Sequence, residues 1–216
     1  HIQEEILEVK NRIKLVWKSG YYLDGIPDEL KTYEMCSAAV GHDGDTLEYV
    51  PDKFKTPDLC LRAVTQDGSA LEYVPDALKT PEMCLRAVKQ NGSALKDIPY
   101  ALKTPDLCEI AISKDGFALE YVPDYLKTYE LCLKAVRSEN CGAALEYVPE
   151  ELKSYEMCRD ALNDASALEF VPDALKPDFC SDGSLIYDAF ELVPDALKTP
   201  KLCLDVVNRD GTALEF

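Results

Sequence analysis

Nine cysteines are the residues of this chain best equipped for chemistry, and eight of them recur at one site: Cys36, Cys60, Cys84, Cys108, Cys132, Cys158, Cys180 and Cys203. Thiolates ligate zinc, form disulfides and act as nucleophiles, and each role needs partners within bonding reach. If the column rides on stacked helices, neighbours lie roughly 9–10 Å apart. A disulfide needs Cα atoms within about 7 Å, and a zinc–sulfur bond is about 2.3 Å long. Neighbours at that spacing can neither pair nor share a metal. The column therefore reads as small buried apolar side chains in a reducing compartment. Cys141 alone stands outside it, where residues are inserted near Arg137–Gly142. It is expected to be exposed and to react first with a thiol reagent.

Other reactive sets are sparse. His1 and His42 are the only histidines, which leaves a Ser–His or Cys–His nucleophile pair almost nothing to work with. No glycine-rich phosphate loop and no clustered His/Cys ligand spacing is present. His42-Asp43-Gly44-Asp45 hints at calcium, but an EF-hand loop alternates oxygen ligands over a longer register and ends in Glu. Asn91-Gly92-Ser93 matches a glycosylation sequon by coincidence of composition. No enzyme, cofactor or metal site is expected. The net charge of −17, from 40 acidic against 23 basic residues, disfavours nucleic acid and anionic membrane as partners. It suits a basic protein or peptide partner, or a soluble monomer. No apolar run is long enough to span a membrane, and no leader peptide is visible. The expected setting is cytoplasmic and reducing, or that of a fragment of a larger protein whose targeting segment is absent.

What positions these residues is a repeat. Pro27, Pro51, Pro75, Pro99 and Pro123 fall 24 apart, followed by Pro149, Pro172 and Pro194 at slightly altered spacing. Self-similarity at such a period signals stacked units that bury apolar faces against their neighbours. Thr80-Pro81-Glu82 reads as a helix start: a capping Thr, Pro at the first helical position, and an acid at the positive end. Met83, Cys84, Ala87 and Val88 share one face of that helix, and Asn91-Gly92 reads as a left-handed stop. Ala63, Ala87, Ala111, Ala135 and Ala161 recur where a small side chain permits close contact. Ser69-Ala-Leu-Glu72 reads as a capping box opening a short helix that Pro75 breaks. The expected fold is all-α: an α-solenoid of about eight 24-residue helix-turn-helix repeats. Residues 1–20 form an N-terminal capping helix, and residues 21–216 a single repeat-array domain with units starting near those eight prolines. The unit at Pro172 is degenerate, since Lys176-Pro177 lacks the capping Thr and Ser181-Asp-Gly-Ser184 replaces apolar positions.

Leu71, Tyr73, Val74, Leu78, Cys84, Ala87, Val88 and Gly92 carry a resemblance to a bacterial helical repeat family, domain of unknown function 4116. The resemblance runs over nearly the whole chain after Gly20. It implies a helical repeat fold and supplies no catalytic residue.

Four columns remain for recognition. Lys31, Lys55, Lys79, Lys103, Lys127, Lys153, Lys176 and Lys198 form either a track for an acidic partner or, preferably, cations compensating helix ends and nearby acids. Glu48, Glu72, Glu120, Glu146 and Glu169 run parallel to them. Tyr49, Tyr73, Tyr121, Tyr147 and Phe170, broken by Asp97, either anchor a partner or pack between repeats. Leu61, Leu85, Leu133 and Leu204 form inter-repeat contacts or an apolar strip. Recurring positions are accounted for by capping and packing, so a partner must read outward positions that vary. Those are Arg62, Arg86, Ile110, Lys134 and Asp160 on the helix face, with Lys53, Ala77, Ala101, Tyr125 and Glu151 beside the prolines. The candidate partner-binding set is Arg62, Arg86, Ile110, Tyr125 and Lys134, centred on the middle repeats. The expected function is a non-enzymatic protein–protein interaction scaffold. The alternative is an acidic inhibitor or immunity-type protein that covers a basic partner.

Overall fold

The computed structural model describes residues 10–11, 13–16, 23–139, 141–180, 193 and 197–209, and among them there is no β-strand. Eight helices among these residues keep step with the repeat: α1 (Tyr33–His42), α2 (Pro57–Gln66), α3 (Pro81–Gln90), α4 (Pro105–Lys114), α5 (Tyr129–Val136), α6 (Tyr155–Ala161), α7 (Lys176–Cys180) and α8 (Pro200–Arg209). The start signal works as its chemistry requires. Thr32, Thr56, Thr80, Thr104, Thr128, Ser154 and Thr199 each accept a bond at 3.2–3.3 Å from the backbone N–H three residues on. Each such cap is worth about 1 kcal/mol.

Each stop is built differently from the left-handed glycine expected. Asp43, Asp67 and Asn91 come after α1, α2 and α3 in extended backbone, with φ of −148°, −134° and −137°. Their N–H groups bond the Ala39, Ala63 and Ala87 carbonyls. Their side chains then cap the next element by accepting from Asp45, Ser69 and Ser93 N–H at 3.1, 2.9 and 3.0 Å. One residue closes a helix and opens the next, and the capping role expected of Ser69 belongs to Asp67. The element it opens is a six-residue 3₁₀ turn, for example Gly44–Tyr49 or Gly68–Tyr73. Val and Pro then run extended into a three-residue 3₁₀ turn such as Asp52–Phe54 or Asp76–Leu78. The broken short helix of the sequence reading is these two 3₁₀ turns.

The glycine opening the long turn is there for proximity. A Cβ on Gly44 would stand 2.5 Å from the Ala63 carbonyl oxygen, and one on Gly68 would stand 2.7 Å from that of Ala87. Farther along, a Cβ on Gly116 would meet the Ala135 carbonyl at 2.5 Å, and one on Gly142 would collide with that of Ala161. The glycine and alanine columns are the two halves of one backbone contact between a turn and the following helix.

Contacts divide the chain into two compact units, His1–Lys114 and Asp115–Phe216. In the first, α1 to α4 pack in succession and the long 3₁₀ turns pack beside them as a second layer. Between the layers lie Met35, Cys36, Ala39 and Val40 of α1 with Leu47 and Val50, and their counterparts in later periods. In the second, α5 packs on α6 and the long turns Gly142–Tyr147 and Ala165–Phe170 pack together. Cys132, Ala135, Leu145, Cys158, Ala161 and Leu168 are fully buried there. Each large apolar side chain so buried contributes about 1.5–3 kcal/mol. Of the N-terminal cap, residues 10–11 and 13–16 are helical and Val16 is buried. The rest of 1–20, and residues 181–184 of the degenerate unit, lie outside the described residues.

The cysteine column is buried at Cys36, Cys60, Cys84, Cys108, Cys132 and Cys158, and Cys203 is half-buried; the Cys180 side chain lies outside the described residues. Cys141 corrects the sequence reading, because it is only 7% exposed. The insertion is taken up ahead of it, where α5 stops early on Arg137. Cys141 then holds the position that Asp67 holds elsewhere, just before the glycine of the long turn, with its Cβ packed beside Gly116. Cys203, rather than Cys141, is therefore expected to label ahead of the seven buried thiols. Time-resolved alkylation read by mass spectrometry checks the order, and Cys141 labelling first would overturn it.

Burial pushes the thiols of Cys36, Cys60, Cys84, Cys108, Cys132 and Cys158 up, most strongly Cys132 and Cys158, from 9.0 to about 11. The unfolded chain releases these protons at lower pH than the folded one. The stability they contribute is therefore fully present below pH 9.0 and declines as pH rises towards about 11. In reductant, urea midpoints should fall across that window, and Cys132→Ala/Cys158→Ala should flatten the fall. An unchanged slope in the double variant would assign it to other groups.

Candidate functional site

The lysine that comes after each short turn points into the fold. Lys31, Lys55, Lys79, Lys127, Lys153 and Lys176 pair with Asp28, Asp52, Asp76, Asp124, Glu150 and Asp173, three residues earlier, at 2.6–3.2 Å. Their side chains are 5–16% exposed, against 66–94% for the acids. Lys31, Lys79 and Lys153 also donate to the carbonyls of Tyr49, Asp97 and Phe170, at 2.8, 2.6 and 3.0 Å. Each of these three ammonium groups ties the turn before a helix to the end of the 3₁₀ turn after it. The column is a set of internal clasps and offers no track to an acidic partner. The carbonyl it compensates belongs to the following turn, a partner that spacing along one segment does not disclose.

One period departs from this scheme. Lys96-Asp97-Ile98-Pro99-Tyr100 stands where its neighbour reads Glu72-Tyr73-Val74-Pro75-Asp76, so acid and aromatic have exchanged places. Lys103 lies 4.8 Å from the centre of the Tyr100 ring. Burial lowers the Lys103 pKa and raises that of Asp97. Lys96 sits 3.6 Å from Glu72. Tyr100 is 71% exposed, and sequence reasoning passed over it. The signal was there, as an aromatic at a position otherwise acidic.

The expected docking residues are dispersed. Arg62 is exposed but donates to the Ser37 carbonyl and hydroxyl, both at 2.6 Å, and so joins α2 to α1. Arg86 is exposed and pairs with Glu82 at 2.8 Å. Ile110 is half-buried and Lys134 exposed. Asp160 is drawn into ion pairs with Arg137 at 2.6 Å and Arg159 at 3.1 Å. Tyr125 is 75% exposed. Arg62, Arg86 and Ile110 belong to the first unit, Tyr125 and Lys134 to the second.

Among the described residues of the second unit are two concavities, and neither is lined by Arg62, Arg86, Ile110, Tyr125 or Lys134. One, of about 210 Å³, borders the insertion and is lined by Arg137, Glu139, Cys141, Asp160 and Asp164 among others. The other, of about 640 Å³, runs along the turn edge between Asp124/Lys127 and the segment Glu146, Tyr147, Val148, Pro149, Glu151 and Leu152. The Lys127 of its wall is clasped by Asp124 at 3.0 Å. Tyr147 is half-buried. Burial pushes its hydroxyl pKa up, and the carboxylates of Glu120 and Glu146 push it further. In the first unit burial, then Glu48 and Glu72, act on Tyr73 in the same way. The acid and aromatic columns are thus one feature, in which a tyrosine sits in the field of its own period's glutamate and of the preceding one.

Two helical layers joined by capped turns and repeated along the chain define an all-α solenoid repeat protein. The chain belongs to the family described as domain of unknown function (DUF4116), which matches residues 32–79, 56–103, 80–127 and 104–153. The matched segments begin 24 residues apart, in step with the helices of the fold. Comparison with curated proteins and with solved structures returned no match. Among the described residues, no helix is long and apolar enough to cross a membrane.

Proposed function

We propose that the chain is a non-enzymatic scaffold that docks a protein or peptide partner. The observation that carries this reading is a division of labour between recurring and varying residues. Thr caps, Asp/Asn double caps, Gly–Ala contacts and Lys clasps are consumed in holding the periods together. The most exposed large hydrophobic side chains among the described residues, Tyr125 and Tyr100, stand at positions that vary, and exposed aromatics are the usual anchors of an interface. A monomer in a reducing compartment, without nucleic acid, accords with thiols placed as apolar filling and a charge of −17.

The test is affinity capture with the intact chain in lysate of its native host, repeated with Tyr100→Ala and Tyr125→Ala. A specific partner should be retained by the wild type, and at least one variant should weaken it by more than about 1 kcal/mol. No saturable partner, or full retention by both variants, would overturn the reading. The tyrosines set among glutamates favour a basic partner, the inhibitor-type alternative. Raising salt from low to physiological strength separates the two, because steered acidic–basic binding weakens steeply and an apolar contact only slightly.

A further inference from the structure

We propose that the groove beside Pro149 takes an arginine side chain from an extended segment of the partner, an assignment that rests on the scaffold reading. The groove has the volume of a ligand site, about 640 Å³. Its lining divides by chemistry, with Tyr147, Val148, Pro149 and Leu152 supplying apolar and aromatic surface and Glu146 and Glu151 supplying charge. Lys127 is committed to Asp124, and Glu150 is committed to Lys153 at 2.6 Å, so the clasps need neither Glu146 nor Glu151. Both of these carboxylates are exposed.

The combination is particular to this period. Three residues before and two after the proline stand Glu48 and Lys53, Glu72 and Ala77, Lys96 and Ala101, Glu120 and Tyr125, Glu169 and Ala174, and Glu191 and Ala196 in other periods. Pro27 does have an acid on both sides, Asp24 and Glu29, but Gly25 stands there in place of Tyr147. Only at Pro149 are both of these sites acidic beside a tyrosine, and since the fold does not require Glu at the later site, the doubling is not a by-product of the repeat. Complementary charge therefore selects a cation, and the tyrosine in the lining selects which one. A guanidinium is planar, weakly hydrated and able to stack on a tyrosine ring while its edge forks to carboxylates; an ammonium is a compact, strongly hydrated point charge. The groove is open along the turn edge, which suits an extended segment and not an enclosed small molecule. Tyr125, exposed on the same turn as Asp124, offers such a segment a further apolar contact.

Fluorescence anisotropy with the full chain tests this, using labelled peptides of alternating arginine and serine, lysine and serine, and glutamate and serine. The arginine peptide should bind saturably and more tightly than the lysine peptide, and the glutamate peptide should not bind. Glu146→Gln/Glu151→Gln should weaken arginine-peptide binding about tenfold, and Glu34→Gln/Glu82→Gln, an equal charge change on the first unit's helix face, less than about twofold. Glu151→Lys alone, at an exposed turn position, should abolish it; circular dichroism melts of all variants report folding. Equal losses in the two double variants would reduce the effect to diffuse acidity and overturn the groove, as would equal binding of the arginine and lysine peptides or no saturable binding. Should a native partner be captured undiminished by the groove double variant, the scaffold stands and the groove assignment falls. Should no partner be captured by the wild type, the scaffold reading itself fails.

Discussion

Gly44→Ala should destabilise the first unit by about 2–3 kcal/mol, while Gly41→Ala, three residues earlier, should stabilise it by a few tenths. The two substitutions add the same methyl group. At Gly44 it would stand 2.5 Å from the Ala63 carbonyl oxygen and 3.2 Å from both that carbonyl carbon and the Asp67 Cβ. The obstacle is backbone, so no rotamer change relieves it, and the long turn must move off α2, opening the layer that buries Leu47 and Ala63. At Gly41, inside α1, nothing lies within 4 Å, and alanine simply restricts the unfolded chain. Urea titrations of both variants, followed by helical circular dichroism, check the sign as well as the size. Equal effects at the two sites would mean that the turn floats on the helix with room to spare.

Lys79→Met should cost about 1.5–3 kcal/mol and Arg86→Met less than about 0.5. Both cations pair with an acid at 2.8 Å, so a count of ion pairs would rank them equal. Burial separates them, since the Lys79 side chain is 6% exposed and that of Arg86 45%. Lys79 also supplies a hydrogen to the Asp97 carbonyl at 2.6 Å, and methionine would keep the stem packing while leaving that carbonyl without it. Asp76 is 77% exposed and would return to water with little penalty, so the loss should be read as that of the carbonyl bond and not of the pair. A Lys79→Met/Asp76→Asn double variant no worse than Lys79→Met would support that apportionment.

How far the sequence could be read depended on how far each residue reaches. Thr80 accepts from Met83, three residues away, and Met83, Cys84, Ala87 and Val88 share a face by helical spacing, so caps and core were visible locally. The left-handed stop read at Asn91-Gly92 was a misjudgement of this glycine column, because the constraint, seen at Gly68, is a carbonyl on the helix of the next period, whereas a left-handed turn is a local motif. Lys79 was half-understood for the same reason, its carbonyl lying 18 residues ahead. Cys141 looked exposed because insertions usually bulge, yet register resumes one residue before Gly142 and carries the thiol inward. At the candidate site, Tyr125 was marked out as a bulky aromatic where the flanking periods have Ala101 and Glu151. The groove at Pro149 was not, because its walls come from two turns a full period apart.

Asp67 ends α2 with its amide and begins the following turn with its carboxylate, so no residue between the two is spare. A chain jointed this way can be lengthened by copying whole periods, because every copy brings both halves of each joint. A smaller edit is absorbed at the helix end: after α6, where one residue is missing, Asp164 still accepts from Ser166 N–H, but its amide bonds the Ala161 carbonyl three residues back, whereas that of Asp67 reaches four residues back to Ala63. The joint after α5 departs further: there the shared acid is gone, Cys141 provides no side-chain cap, and the lengthened connection is held by Arg137 reaching Asp160 and Glu156. Variation in length within such an array should therefore gather at the end of the longer helix, ahead of the residue that opens the next turn, and duplication of whole periods should leave the joints untouched.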